Sequence, residues 1–318
     1  MRRKPIYYVI LLIITVALSF ISHGNDIGID IGNDSASIEE QNNTGNANPI
    51  ESTSKESGQK NNYVELGQLK VHFIDVGQAD SILIQNNEKT MLIDAGNNAD
   101  SDDVVTYIKS QNIEKLDYVV GTHPHEDHIG GLDAVIESFD IGVIYMPKAT
   151  STTKTFEDVL HAIAKKSMKV TTPIPGTTVN FGEASFTILA PNSDNYKETN
   201  NYSIVIKLEH GNNSFLFTGD AEDVSEKEMI ERGYDLTADV LKVGHHGSSS
   251  STTQEFLTKV NPKYAVICVG KDNKYGHPHR ETMELLNKKS IKIYRTDESG
   301  TIIAVSDGEA ITFEETLK

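Results

Sequence analysis

Cysteine, positive charge and long apolar runs are all scarce in this chain, and each scarcity narrows the reading. A single cysteine, Cys268, stands among 318 residues, so no disulfide can form within the chain and no disulfide partner is expected. It lies in the apolar run YAVICVG (264–270) and reads as a small buried hydrophobe, not a nucleophile. Lys and Arg number 29 against 46 Asp and Glu, a formal net charge of -17. Such a charge repels bulk nucleic acid and weighs against a high-affinity nucleic-acid-binding protein. It does not exclude an enzyme that handles phosphates through metal ions, which supply positive charge locally. One long apolar run is present, IYYVILLIITVALSFI at residues 6–21, so the chain by itself is not a many-helix membrane channel. Apolar residues reach only 37%, yet a folded part of about 250 residues still builds one substantial core.

The flanks of the apolar run say what it does. Met1-Arg2-Arg3-Lys4 puts a basic cluster ahead of it, the order of an exported protein whose positive end stays inside. Its length is at the short end for a bilayer span. Ala17-Leu18-Ser19 and Ser22-His23-Gly24 are small-x-small cleavage candidates, so a cleaved signal and an uncleaved membrane anchor both stand. Residues 23–62 are rich in Asn, Ser, Gly, Glu and Asp, the composition of a flexible spacer. We therefore expect a signal peptide or membrane anchor at 1–22, a polar linker at 23–65 and a folded domain at 66–318. The folded domain would be extracellular or held at the outer face of the cytoplasmic membrane.

Chemistry concentrates in LDYVVGTHPHEDHIGG (116–131). An apolar strand runs into a polar turn that holds His123, His125, Asp127 and His128. Imidazole nitrogens and carboxylate oxygens are ordinary ligands for zinc, manganese or iron. Two pairs offset in this way can serve two neighbouring ions, and Gly130-Gly131 lets the backbone pass close by. A strand and a glycine turn also precede Asp220 in FLFTGDAE (215–222), and His245-His246 in DVLKVGHHGSSSST (239–252). From an extended chain the two histidines face different ways. We assign His245 as the ligand and leave His246 to support or substrate contact. Ser248 begins a serine run that either caps the next helix or meets a phosphate. His277, in KDNKYGHPHRE (271–281), follows another strand in a loop with Lys271, Lys274 and Arg280. It is read as a ligand or as a contact to the leaving group. Asp80 and Asp94 stand at strand ends, where turn capping and site support are both open.

The pattern HPHEDH resembles the signature of the metallo-β-lactamase fold. FIDVGQADSILI, MLIDAG, FTGD, GHHGS and YGHP are further similar to the metallo-β-lactamase domain of ComEC-type DNA-uptake proteins. The resemblance covers about residues 68–315. It implies an αββα sandwich, two β-sheets face to face with helices outside; composition alone says only mixed α and β. It implies two divalent metal ions, zinc or manganese, with His123, His125, Asp127, His128, Asp220 and His245 as ligands and Asp220 as the bridge. It places Asp80 and Asp94 beside the ligands. Many members of the fold have one more histidine between HxHxDH and the bridging aspartate. Here that interval offers only His161 and His210, and the ComEC-like segment Asn200-Asn201-Tyr202-Ser203 stands instead. Asn201 or Ser203 would approach the site, and oxygen in place of nitrogen shifts preference from zinc toward manganese.

The expected chemistry is metal-dependent hydrolysis. Asp127 orients water, and His245 or His277 assists the leaving oxygen. The resemblance implies a phosphodiester substrate, DNA or a cell-wall phosphodiester. Lactam, lactone and thioester hydrolysis belong to the same fold, and a non-catalytic, metal-stabilised surface-binding protein is the alternative of another class. Oligomeric state is not legible.

Overall fold

Period-two alternation sets which side of each strand is dry. In β1 (Leu69–Phe73) the residues Leu69, Val71 and Phe73 join one apolar layer, while His72 turns to the opposite face and bonds Tyr107 Oη at 2.9 Å. The computed structural model describes residues 66–316. The expected export segment and linker lie outside the described residues.

From β1 the chain passes through β2 (Ser81–Asn86), β3 (Lys89–Ala95), β4 (Lys115–Val120), β5 (Asp140–Tyr145) and β6 (Val170–Thr171). It then builds β7 (Thr178–Phe181), β8 (Ala184–Ala190), β9 (Val205–His210), β10 (Asn213–Phe217), β11 (Val240–Lys242), β12 (Tyr264–Ile267) and β13 (Lys292–Arg295). Finally β14 (Ile302–Ser306) and β15 (Ile311–Glu315) return to the first group. One sheet has the order β15-β14-β1-β2-β3-β4-β5-β6, the other β13-β12-β11-β10-β9-β8-β7. In both, one half is antiparallel, and the other half, β3 to β6 or β10 to β13, is parallel. Parallel pairing needs crossovers, and these bring helices onto the outer faces.

The sheets pack face to face. Phe73 of one meets Phe217 of the other at 6.3 Å between ring centroids, and Tyr118 meets Phe186 edge-on at 5.1 Å. Each fully buried ring or aliphatic side chain of this layer contributes about 1.5–3 kcal/mol relative to exposure. A second apolar layer joins the first sheet to its helices through Leu92, Leu116, Val135 and Ile144. A third does the same for the other sheet through Leu216, Leu241, Phe256 and Leu286. The αββα sandwich is the fold of the described residues. Cys268 is fully buried in the inner layer, as expected for a small hydrophobe.

Local expectations differ from the structure in two places. By sequence Asp127–Ser138 reads as one helix; in the structure it is two, α2 (Glu126–Ile129) and α3 (Leu132–Ser138), following α1 (Ser101–Ser110). The break falls at Gly130-Gly131, where the chain presses on its neighbours. A Cβ at Gly130 would lie 2.2 Å from the Asn97 carbonyl carbon, and one at Gly131 would lie 2.4 Å from the Ala95 oxygen. Close approach to the strand end, not helix continuity, is what the glycines serve. Strand β7 was not expected, because TVNF sits between turn residues and offers only a weak alternation.

Candidate metal centre

The titratable residues singled out by motif gather at the carboxyl ends of the parallel strands, where open sheets leave loops free to converge. Asp94 ends β3, and His123 to His128 follow β4. Asp220 follows β10, His245-His246 follows β11, and the His277 loop follows β12. The turn between β1 and β2 brings Asp80 to the same place through bonds from Asp80 N to Asp127 O (3.0 Å) and Gly96 N to Asp80 O (2.8 Å).

Asp220 divides the centre. Its Oδ1 lies 3.2 Å from His128 Nε2 and 3.8 Å from His246 Nε2. Its Oδ2 lies 3.9 Å from His123 Nε2 and 3.6 Å from His245 Nε2. Asp127 Oδ2 joins the first group at 3.4 Å from His246 Nε2. His125 joins the second, with Nδ1 3.0 Å from His123 Nε2. The result is one set of Asp127, His128 and His246 and another of His123, His125 and His245, with a carboxylate oxygen turned to each.

The buried histidines are held so that one nitrogen stays free. His128 Nδ1 donates to Asp94 Oδ2 at 2.7 Å, and His246 Nδ1 donates to the Cys268 carbonyl at 2.9 Å. Thr122 donates its hydroxyl proton to Asp94 Oδ2 (2.7 Å), so its oxygen accepts from His123 Nδ1 at 3.2 Å. Each of these rings therefore presents an Nε2 lone pair inward, the tautomer that ligation requires. His128 Nε2, His246 Nε2 and Asp220 Oδ1 are buried without a hydrogen-bond partner, a costly state for polar atoms in a dry site. Divalent ions would satisfy all three, and the mixed nitrogen and oxygen donors suit the zinc and manganese class. The arrangement is that of a binuclear divalent-metal centre.

Electrostatics agree with a site built for cations. Burial alone would raise the Asp220 carboxyl, but His128 and His246 hold it well below the usual range. Burial would lower His246, yet Asp220 and Asp80 push it up to about 10, so the site favours a positive charge at Nε2, where a metal ion would take the place of the proton. His123 is drawn well below its ordinary value, mainly by burial and then by His128.

Asp80 and Asp94 lie against the buried histidines His246 and His128. Asp80 Oδ1 is 3.3 Å from His246 Nδ1, and its Oδ2 is 2.5 Å from Lys242 Nζ. Asp80, Asp94 and His128 form a third close group. Lys242 pairs with Asp80 Oδ2, and Thr122 and His128 donate to Asp94, so these carboxylates brace the buried histidines. Ser203 Oγ lies 3.3 Å from His123 Nδ1 and accepts from Asp220 N at 3.0 Å. Asn201 Oδ1 accepts from the amides of Glu222 and Ser225, so it sets the helix start behind the site. Ser248 is buried in its own loop with Oγ on Ser250 Oγ (3.0 Å); it is Ser250 Oγ that meets His245 Nδ1, at 3.1 Å. Lys274 reaches over the Tyr275 ring, 5.0 Å from its centroid. His277 stands at the rim, its ring 5.4 Å from that of His245. Of the histidines set aside, His161 is exposed and His210 is buried against Ser306.

Two features differ from the sequence reading. First, both histidines of GHHGS face the centre. The pair lies in a left-handed turn, with φ 49° at His245 and 53° at His246. Side chains in this turn do not follow the alternation of an extended strand, and such backbone is costly outside glycine. His246 is the buried one, against Asp127 and His128; the more open His245 turns its Nε2 toward Asp220 Oδ2. Second, Lys242 escaped notice. A lone lysine inside the apolar strand DVLKVG was the available signal, since an unpaired charge is not left in a core. Thr122, Gln78 and Glu222 also touch the ligands or His277 and carried no sequence signal.

A family model for the metallo-beta-lactamase superfamily matches residues 74–271. The chain is 32% identical over 251 residues to ComE operon protein 3 of Bacillus subtilis (strain 168), covering 73% of this chain and 32% of that protein. It is 29% identical over 238 residues to Recombination protein 2 of Haemophilus influenzae, covering 73% of this chain and 28% of that one. The chain thus spans about a third of the length of these relatives. Among solved structures, the metallo-beta-lactamase fold protein YhfI from Bacillus subtilis overlays with a TM-score of 0.49 at 14% identity, over 78% of this chain and 99% of that one.

Proposed function

Because this chain belongs to the metallo-beta-lactamase superfamily and is a metal-dependent hydrolase, we propose that its substrate is a phosphodiester, in DNA or at the cell surface. The observation that carries this reading is the division of Asp220, one oxygen toward each ligand set. His123, His125 and His245 on one side and Asp127, His128 and His246 on the other would hold two ions, which would supply paired positive charge for the oxygens of a phosphodiester. The kinship with Recombination protein 2 and with competence proteins supports a nucleic-acid diester.

Bound divalent ions would supply Lewis acidity, easing deprotonation of water and neutralising charge on the phosphoryl oxygens. The chain's own residues do the rest. Asp127, only partly buried, presents a carboxylate oxygen to an attacking water and fixes its direction. Gln78 Oε1 accepts from Gly270 N at 3.0 Å, which orients the amide so that Nε2 donates to His277 Nδ1 at 3.3 Å. His277 therefore carries its proton on Nε2, a donor for the leaving oxygen. Burial, with help from neighbouring His245 and His246, lowers His277 to about 4, so near neutral pH it stabilises by hydrogen bonding as a neutral ring.

The test is hydrolysis of bis(p-nitrophenyl) phosphate and of a β-lactam by metal-loaded protein, comparing wild type with Asp127→Asn at matched metal occupancy. Diester turnover that falls in the variant supports the assignment; equal diester rates, or turnover confined to the lactam, refute it. The reading also keeps export of residues 66–318. Among the described residues no helix is long and apolar enough to cross a membrane, and the apolar run at 6–21 lies outside them. Protease added to intact cells should reach the domain or its linker; protection until lysis would remove this part.

A further inference from the structure

Among the described residues Tyr275 is the one aromatic residue in the exposed class, with 54% of its surface open. Its neighbours show that this exposure is built. Asn273 pins the loop with four hydrogen bonds: Nδ2 donates to the Gly270 and His277 carbonyls, and Oδ1 accepts from the Tyr275 and His277 amides. His279 ties the far end, with Nδ1 accepting from Ser249 N at 3.0 Å. The Tyr275 ring lies nearly parallel to His277, at 22° and 5.7 Å between centroids. His277 in turn lies at 26° to His246 and 6.3 Å away. A stair of rings thus descends from solvent to the buried metal ligands. The surface beside it is a cavity of ≈ 650 Å³ of mixed charge, lined by Lys271, Asn273 and His277 with Asp272, Arg295, Asp297 and Glu298, and Lys274 stands over the tyrosine.

We propose that Tyr275 is a stacking platform for an unpaired nucleobase next to the scissile phosphodiester, which makes single-stranded nucleic acid the preferred substrate. The proposal rests on the phosphodiesterase reading above. A flat ring held rigidly at the rim loses little entropy when another flat ring covers it, and base-on-aromatic stacking is tolerant of sequence. Lys271 and Lys274 provide cations for the backbone in a chain whose total charge otherwise repels it. A duplex already stacks its bases internally and offers none to Tyr275 without unpairing. Tyr275 acts on affinity for the strand, and the reacting atoms belong to the metal centre and His277.

The experiment measures anisotropy of labelled phosphorothioate oligothymidylate, of an abasic oligomer of equal length and of a blunt duplex. Metal-loaded wild type, Tyr275→Ala and Tyr275→Phe are compared. Oligothymidylate binding should weaken about tenfold in Tyr275→Ala and be kept by Tyr275→Phe. Binding of the abasic oligomer and the duplex should be the same for all three proteins. Equal weakening for the abasic oligomer, or no weakening for oligothymidylate, would overturn the proposal. Turnover of bis(p-nitrophenyl) phosphate by the same proteins, read in parallel, tests the phosphodiesterase reading separately. If no protein cleaves that diester while oligothymidylate binding still depends on Tyr275, the phosphodiesterase reading fails and the stacking assignment stands.

Discussion

The two sides of the metal centre are built differently. His128 and His246 are nearly inaccessible and stand on a second tier of buried groups, Asp80, Asp94, Thr122 and Lys242. In the other set His123 is buried as well, but His125 is exposed and a quarter of the His245 side chain is open. The His245 ring is supported by the loop groups Ser250 and Glu222. The difference teaches where rigidity is invested. A dry side with fixed tautomers holds its ligand geometry before any ion arrives, and an open side leaves room for substrate and for exchange of water.

Removing what both sides share should have the largest effect. Asp220→Ala should lower diester turnover by more than about a thousandfold, a barrier change of about 4 kcal/mol. Elemental analysis should find fewer ions per chain than in wild type. Near-normal turnover would mean that Asp220 does not join the two sets. Next comes the foundation of the dry side. Lys242→Met leaves the Asp80 carboxylate buried without its cation, and breaking such a pair costs about 3–5 kcal/mol. Urea denaturation should show that loss, and Asp80→Asn added to Lys242→Met should restore part of it. An unchanged midpoint would show that the pair is no foundation.

The open side rests on a different kind of carboxylate. Glu226 is buried in α5 (Asp223–Glu231), following α4 (Lys154–Lys165) in the chain, and accepts from the Thr252 and Thr253 amides of the loop after His245-His246. Burial pushes its pKa up to about 7. The folded state thus holds the proton more tightly than the unfolded chain. The associated stability is full below the ordinary glutamate pKa and is lost as pH rises toward about 7, by roughly 3 kcal/mol. Stability curves between pH 4 and 8 should be flatter for Glu226→Gln, and parallel curves would discard the assignment. The smallest effect should separate the sides by affinity. Asp94→Asn, which disturbs the His128 tautomer, should weaken metal binding about 10–100-fold. His245→Ala should instead lower the number of ions bound per chain without loosening the remaining one. A calorimetric metal titration distinguishes these outcomes.

Legibility followed the range of the interaction. The spacing of Val104, Val105 and Ile108 reads as the inward face of α1 because that periodicity is local. So were the strands leading to His123 and to Asp220. The break at Gly130-Gly131 was not, because its cause is the backbone of Asn97 and Ala95, some 30 residues earlier in the chain. Lys242 and Asp80 are likewise far apart in sequence, and their pairing is visible only once the two sheets close.

The sequence by itself determined the donor types, their clustering at strand ends and the alternation that buries two sheets against each other. These follow from side-chain chemistry and from the period of the strand. Only the tertiary structure decided that His245 and His246 both face inward, on opposite oxygens of Asp220. The left-handed turn that aims them is held by contacts from separate elements, among them the Cys268 carbonyl, Ser250 and Asp80. A side chain's direction in such a turn depends on what packs around it, and no local period encodes that.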